Sequence, residues 1–326
     1  MHCVKRLRYL QRVFSAYLLP GKSQLSFWHE TSRANDRATF DKLGEYYMEF
    51  ASKADYSGHY DAEGIPMLDY RGYIGLQYNP IAIAQYGLGN YNLFEQRGSE
   101  QRRSKFLAAA DWLVSNLAQN LHGMWVWNHN FDWEYRNTLK APWYSGLAQG
   151  QGISLLVRAH QATRDSKYED AARRASESLS RFVDEGGVLF RDKRGDVWIE
   201  EYLVDPPTHI LNGMIWALWG VHDYALATRE RSAQELFDKV VRTLERNLPR
   251  YDAGFWSLYE QSGTRLKMVA SLFYHRLHIV QLGIMHRLTG IDMFREYAER
   301  WKAYERSRLK RTAALAYKSA FKLCYY

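Results

Sequence analysis

Cysteine is almost missing from this chain. Cys3 and Cys324 stand near opposite ends of 326 residues, which excludes a disulfide framework and fits no zinc-ligand spacing. Proline is scarce as well, at seven residues, and this excludes a collagenous or low-complexity chain. No apolar run approaches the length of a membrane-spanning helix. The run at residues 13–19 is broken by Ser15 and Tyr17 and stops at Pro20, too short and too polar for a secretory signal. With reduced thiols as the default, the expected location is the cytoplasm. There is no nucleophile elbow, no phosphate-cradling glycine loop and no dinucleotide fingerprint, since GLGNYN from Gly87 is not a GxGxxG. Histidine and carboxylates meet in HNFDWE, but without metal-ligand spacing, so no metal and no cofactor are expected.

Aromatics and positive charge are abundant. The 24 Tyr, 11 Trp and 14 Phe fill cores, and they also suit clefts that stack flat faces against sugars or bases. The net charge of +8 points to an anionic partner. No nucleic-acid-binding motif is present, which leaves an acidic polysaccharide or an anionic membrane surface. Much of the charge lies in the opening MHCVKRLRYLQR and the closing ERSRLKRTAALAYKSAFKLCYY, so charge alone locates no site.

A repeat of roughly 60 to 70 residues organises the middle of the chain. In each copy a helix that is apolar nearly all round precedes one with a single apolar stripe. The first members begin near Pro80, Gly152, Ile210 and His278. The striped partners carry Phe106, Ala110 and Leu113; Tyr168, Ala172 and Leu179; Phe237, Val241 and Leu244; and Phe294, Ala298 and Trp301. Helix pairs of this kind stack with the uniform helices inside and the striped ones outside. GVLFRDKRGDVWIEE, residues 187–201, reads as a β-hairpin. The expected fold is mainly α: an incomplete (α/α) toroid or barrel with short β-hairpins at the cleft rim. Residues 65–305 form that barrel. Residues 1–64 are expected to be an arm and adapter, with a short amphipathic helix in DKLGEYYMEFASK at 41–53. Residues 306–326 form a basic tail, either solvated or lying on an anionic membrane.

Candidate chemistry gathers where inner helices begin. Residues 259–281 hold Tyr259 and Tyr274 with Arg265, Lys267, His275, Arg276 and His278 near them. A phenol is a poor base unless cations or donors favour its anion. On its own this stretch reads first as a loop entering a packed helix. WVWNHNFDWEY at 125–135 reads first as core, and Gln149 and Gln151 as hydrogen-bonding residues of a buried helix start.

Five segments change that balance: GLQYNPIAIAQYGLGNY, APWYSGLAQGQGISLLVRA, WIEEYLVDPPTHILNG, SLYEQSG and FYHRLHIVQL. In this order and spacing the chain resembles the catalytic C-terminal domain of the D-glucuronyl C5-epimerases, over roughly residues 65–304. The resemblance implies an (α/α) barrel that converts glucuronate to iduronate within a heparosan-like acidic polysaccharide. It places the family's catalytic Glu-Tyr pair on Glu201 and Tyr202, its later tyrosines on Tyr259 and Tyr274, and its Asn on Asn212. Tyr78, Tyr86 and Tyr144 match cleft positions. His275 and His278 fall in the matched stretch, and Arg265 is the nearest counterpart of the family's substrate-binding Arg. Gln149 and Gln151 complete the expected substrate-binding set. Family members are often dimers, an analogy that leaves a homodimer open here.

The chemistry calls for such residues. Removing the C5 hydrogen builds charge on the neighbouring carboxylate, which needs donors aimed at it. Inversion needs a proton returned on the opposite ring face, so Tyr202 or Glu201 is expected on one face and Tyr274 on the other. Adjacent strand residues point oppositely, so Glu201 and Tyr202 share the cleft only if the strand bends there. A polysaccharide lyase using the same abstraction, and a non-catalytic glycan-binding protein, are the alternatives.

Overall fold

The computed structural model describes residues 23–135 and 137–325. Cys3, the basic opening and the run at 13–19 lie outside the described residues. A five-residue helix α1 (Gln24–Trp28) and a single turn α2 (Ala51–Ala54) come first. Four helix pairs follow: α3 (Pro80–Arg97) with α4 (Glu100–Ser115), α5 (Gly146–Thr163) with α6 (Ser166–Leu179), α7 (Leu211–Thr228) with α8 (Arg231–Asn247), and α9 (Leu272–Thr289) with α10 (Asp292–Arg306). The first member of every pair is 18 residues long. These inner helices stand side by side in the order α3, α5, α7, α9, each backed by its striped partner.

α3, α5 and α7 are buried along most of their length, as uniform apolarity requires, whereas α9 is fully buried only on one side. Between α5 and α7 the contact is backbone on backbone. A Cβ on Gly150 would lie 2.4 Å from Ala217 Cα, and one on Gly220 would lie 2.3 Å from Gly150 Cα. Only glycine allows this approach. α5 and α9 start about six residues earlier than the apolar pattern suggests. Polar N-caps set these starts: Ser145 Oγ accepts from Ala148 N and Ser271 Oγ from Tyr274 N.

The ring of inner helices is incomplete, and residues 29–50 fill its gap between α9 and α3. The helix expected at 41–53 is not formed beyond α2. This segment runs extended because Asn92 on α3 captures its backbone, accepting from Tyr46 N and donating to Met48 O at 2.9 Å. The consecutive Tyr46 and Tyr47 are both buried, against Trp219 of α7, which an amphipathic surface helix could not achieve. Beneath them Arg158 of α5 pairs with Asp223 of α7 at 2.6 Å, and Tyr47 donates to the same carboxylate at 2.7 Å. On the α9 side, the Arg287 guanidinium lies over the Phe40 ring.

The strands are short antiparallel pairs at one end of the ring. β1 (His59–Tyr60), β2 (Pro66–Asp69) and β3 (Leu76–Gln77) form one sheet. β4 (Leu117–Gln119) pairs with β5 (Trp125–Trp127), and β6 (Trp133–Glu134) with β7 (Thr138–Leu139). The expected hairpin is β8 (Leu189–Arg191) with β9 (Val197–Ile199). The basic tail folds as α11 (Arg308–Tyr325) and docks on residues 253–271: Lys318 is half-buried and donates to Val269 O at 2.8 Å. Among the described residues no helix is long and apolar enough to cross a membrane.

Candidate active site

All four inner helices begin at one cavity of about 150 Å³. Asn79, the N-cap of α3, lines it together with Leu147 of α5, Asn212 of α7 and Tyr274 of α9. Each helix start carries partial positive charge from its N–H groups, so four such ends converge on one space. Three are capped by a side chain. α7, after Ile210, is not.

Glu201 and Tyr202 reach the same cavity. β9 ends at Ile199, and residues 201–202 form a bend, which meets the condition under which both face the cleft. Glu200 takes the other side, accepting from His209 N at 3.0 Å and contacting its Nδ1. Glu201 is 5% exposed. Its carboxyl sits over the first turn of α7, where a Cβ on Gly213 would fall 2.1 Å from Oε2. Glycine at 213 is therefore what makes room for the carboxyl. Burial raises its pKa to about 8, against a hydrogen bond from Tyr202 that lowers it. Asn212 Nδ2 makes a long contact to Oε2 at 3.5 Å.

Tyr202 and Tyr274 come from different elements, the bend after β9 and the first turn of α9. Tyr202 leans on Tyr135 and Trp143, with ring centroids 4.7 and 5.7 Å away. Tyr274 leans on Tyr259 and Phe273 at 4.8 and 5.1 Å. Tyr259 sits behind Tyr274 and not on the cavity. Burial pushes its phenol well above the ordinary range, with the Glu201 charge adding to this. Tyr135 donates to Glu260 just beyond.

Other expected site residues have structural duties. His275 and His278 both turn their Nδ1 to Ser257 Oγ, at 2.8 and 3.0 Å. His275 also stacks on Trp256 and bonds Trp301 O through Nε2. Neither lines the cavity, and burial lowers both pKa values, that of His275 to about 4. Arg265 is exposed on the loop before α9. Gln149 accepts from Trp127 N at 2.9 Å and donates to Ser178 Oγ at 2.8 Å, tying β5 to α6. Gln151 accepts from Gln85 Nε2 at 2.8 Å between α5 and α3. Tyr144 donates to Gly186 O at 2.9 Å, Tyr78 to Asp61 at 2.7 Å, and Tyr86 packs on Tyr60. Of the thirteen expected positions the cavity gathers Glu201, Tyr202, Asn212 and Tyr274, with Tyr259 directly behind.

Several lining residues were not among those expectations. Gln24, Trp28 and His29 come from the N-terminal arm, and His129, Phe131 and Trp143 from the aromatic stretch and the segment it pairs with. The polar residues interleaved with tryptophan in WVWNHNFDWEY were the available signal. Nothing in the arm announced it. Trp28, His29, Trp216 and Tyr274 also line a neighbouring groove of about 470 Å³ beside Arg33 and Lys53. Among the described residues no Arg or Lys lines the cavity itself, and no group of three or more His, Cys, Asp or Glu is arranged to hold a metal.

Residues 119–303 match the family described as D-glucuronyl C5-epimerase C-terminus. The D-glucuronyl C5-epimerase of Caenorhabditis elegans is 33% identical over 221 residues, covering 63% of this chain and 35% of that protein. An uncharacterized protein of Methanocaldococcus jannaschii is 29% identical over 180 residues, 54% of this chain and 57% of its own. The chain thus spans well under two thirds of either relative's length. Among solved structures, the unsaturated glucuronyl hydrolase of Bacillus sp. GL1 is similar over 72% of this chain and 61% of that one, with a TM-score of 0.45 and 15% identity. The family match runs from β4 through α10, taking in Glu201, Tyr202, Asn212, Tyr259 and Tyr274, and on that extent the chain belongs to the D-glucuronyl C5-epimerase C-terminal family.

Proposed function

We propose that this protein epimerises D-glucuronate to L-iduronate at C5 within an acidic, heparosan-like polysaccharide. The observation that carries the reading is the convergence of four helix N-termini on a cavity holding Glu201, Tyr202 and Tyr274. The uronate carboxylate sits at the helix ends, where N–H dipoles and Asn212 Nδ2 receive the charge that develops when C5 loses its proton. No arginine is required for this. Glu201 and Tyr202 act as one hydrogen-bonded unit on one ring face, and Tyr274 acts on the other. One wall removes the C5 proton, the electron pair spreads onto the carboxylate oxygens, and the opposite wall delivers a proton to C5. Glu201, with its pKa raised to about 8, holds or gives up a proton near neutral pH, where exchange in both directions is easiest.

The test is exchange at C5. Heparosan-type polymer incubated with the protein in deuterated water is expected to gain deuterium at C5 of its uronates without chain cleavage. Tyr274→Phe and Tyr202→Phe are each expected to lower that rate on the order of 10²–10⁴-fold. Unsaturated chain ends would instead indicate elimination at C4 by a lyase. Polymer binding with no exchange would leave a glycan-binding protein.

A further inference from the structure

Helix α11 lies outside the family match and presents an exposed apolar face. Its other side is fixed to the ring. Ala314 and Phe321, seven residues apart, are its buried side chains and belong to the core. Three hydrogen bonds hold that side down. Lys318 Nζ donates to Val269 O at 2.8 Å, Lys267 N to Tyr317 Oη at 3.1 Å, and Leu266 N to Tyr325 Oη at 3.3 Å. The helix is braced along its length, so its outer side keeps one orientation.

On that outer side Leu309, Ala313, Ala316, Ala320 and Leu323 recur at alternating spacings of four and three residues, a single stripe of a helix. All five are exposed, Leu309 at 82% and Leu323 at 72%. Leu315, 70% exposed, widens the stripe along one edge. Exposed leucines scattered singly need no explanation, but three on one helix make a patch that does.

Charge decides what covers it. Arg308, Lys310, Arg311, Lys318 and Lys322 are the charged residues of α11, and none is acidic. Arg308 and Arg311 are exposed along the Leu315 edge of the stripe, and the exposed Arg306 stands just before it. A second copy of the chain, brought face to face, would set the same cations against these and offer no carboxylate. An acidic polysaccharide would answer the charge and leave the leucines in water. An anionic bilayer answers both, because its headgroups take the cations and its acyl boundary takes the leucines.

We propose that the outer face of α11 is a membrane-docking surface, lying in the interface of an anionic bilayer with Leu309, Leu315 and Leu323 inserted and the arginines at headgroup level. The brace also fixes where the cavity then stands. Residues 266–269, which hold α11, run into Ser271, the N-cap of α9, and Tyr274 on the first turn of α9 lines the cavity. Docking therefore sets the height of the cavity above the lipid. The inference uses no residue of the cavity and stands apart from the epimerase reading.

The test is co-sedimentation of the full chain with two kinds of vesicle: phosphatidylcholine alone, and equal parts of phosphatidylcholine and phosphatidylglycerol. The chain is expected to bind the mixed vesicles, and the neutral ones more weakly by on the order of 10²-fold. Leu309→Ser with Leu323→Ser is expected to lower binding to the mixed vesicles on the order of tenfold, and Arg308→Gln with Arg311→Gln by a similar factor. Both variants should keep the parent's thermal midpoint and its C5 exchange on soluble oligosaccharide, since the replaced side chains are exposed. No binding to the mixed vesicles, or binding that the leucine variant retains, overturns the proposal. A dimer in solution that the leucine variant splits would make the face a contact between copies instead. Heparosan binding that the arginine variant loses, with no vesicle binding by the parent, would make it a glycan surface.

Discussion

Replacing Glu201 by Gln should stabilise the protein at high pH while disabling it. The buried carboxyl holds its proton up to about pH 8, whereas in the unfolded chain it ionises near 4.5. Its folded pKa is raised, so the folded state binds the extra proton, and stability falls as pH rises between these values. Below 4.5 both states are protonated and the group contributes no pH dependence. Across the window the loss is about 1.4 kcal/mol per pH unit, which accumulates to about 5 kcal/mol by pH 8 and stays constant above. Gln keeps the shape and does not titrate. Unfolding free energies from urea titrations of parent and Glu201→Gln, taken at half-unit steps from pH 4 to 9, should therefore diverge steadily in favour of the variant. C5 exchange by the variant should fall on the order of 10²–10⁴-fold at every pH, since an amide moves no proton. Parallel stability profiles would show that Glu201 ionises normally in the fold, and the argument for its role would go with them.

Three further outcomes follow from the packing. Gly213→Ala should lower both C5 exchange and the thermal midpoint, because its Cβ strikes Glu201 Oε2 at 2.1 Å and also Glu201 Cβ at 2.6 Å, which no rotation of that side chain removes. Gly150→Ala should destabilise by about 1–3 kcal/mol in urea titrations, since its Cβ meets the backbone of Ala217, which has nowhere to go. Arg158→Met should cost about 3–5 kcal/mol by the same measurement, because it leaves Asp223 buried with Tyr47 as its remaining named donor. Adding Asp223→Leu should recover much of that loss.

The helix pairs were legible because burial leaves a periodic trace. Tyr168, Ala172 and Leu179 face inward from α6 at helical spacing, and α5 before it is apolar on every side. The hairpin at 187–201 was legible from alternation around its turn. Residues 41–53 were not, because the pattern of DKLGEYYMEFASK is equally that of an amphipathic helix and of a strand sunk in a core. What decides is Asn92, 46 residues from Tyr46, binding its backbone. A contact at that distance leaves no local signature.

Depth along the inner helices explains which of the expected residues line the cavity and which lie away from it. The cavity lies at the N-terminal end of the ring, and a helix rises 1.5 Å per residue. Asn212 is the second residue of α7 and Tyr274 the third of α9, so both open onto it. Gln151 is the sixth of α5, Tyr86 the seventh of α3 and His278 the seventh of α9. Each lies a turn or more deeper, where a polar side chain meets another helix instead of a ligand. The indole of Trp216, sixth on α7, is long enough to reach back. Sequence resemblance carries no depth, so it gathered His278 with Tyr274 although one turn separates them. It is equally silent on His129, whose place at the cavity depends on a bridge to Trp143 and not on any helix.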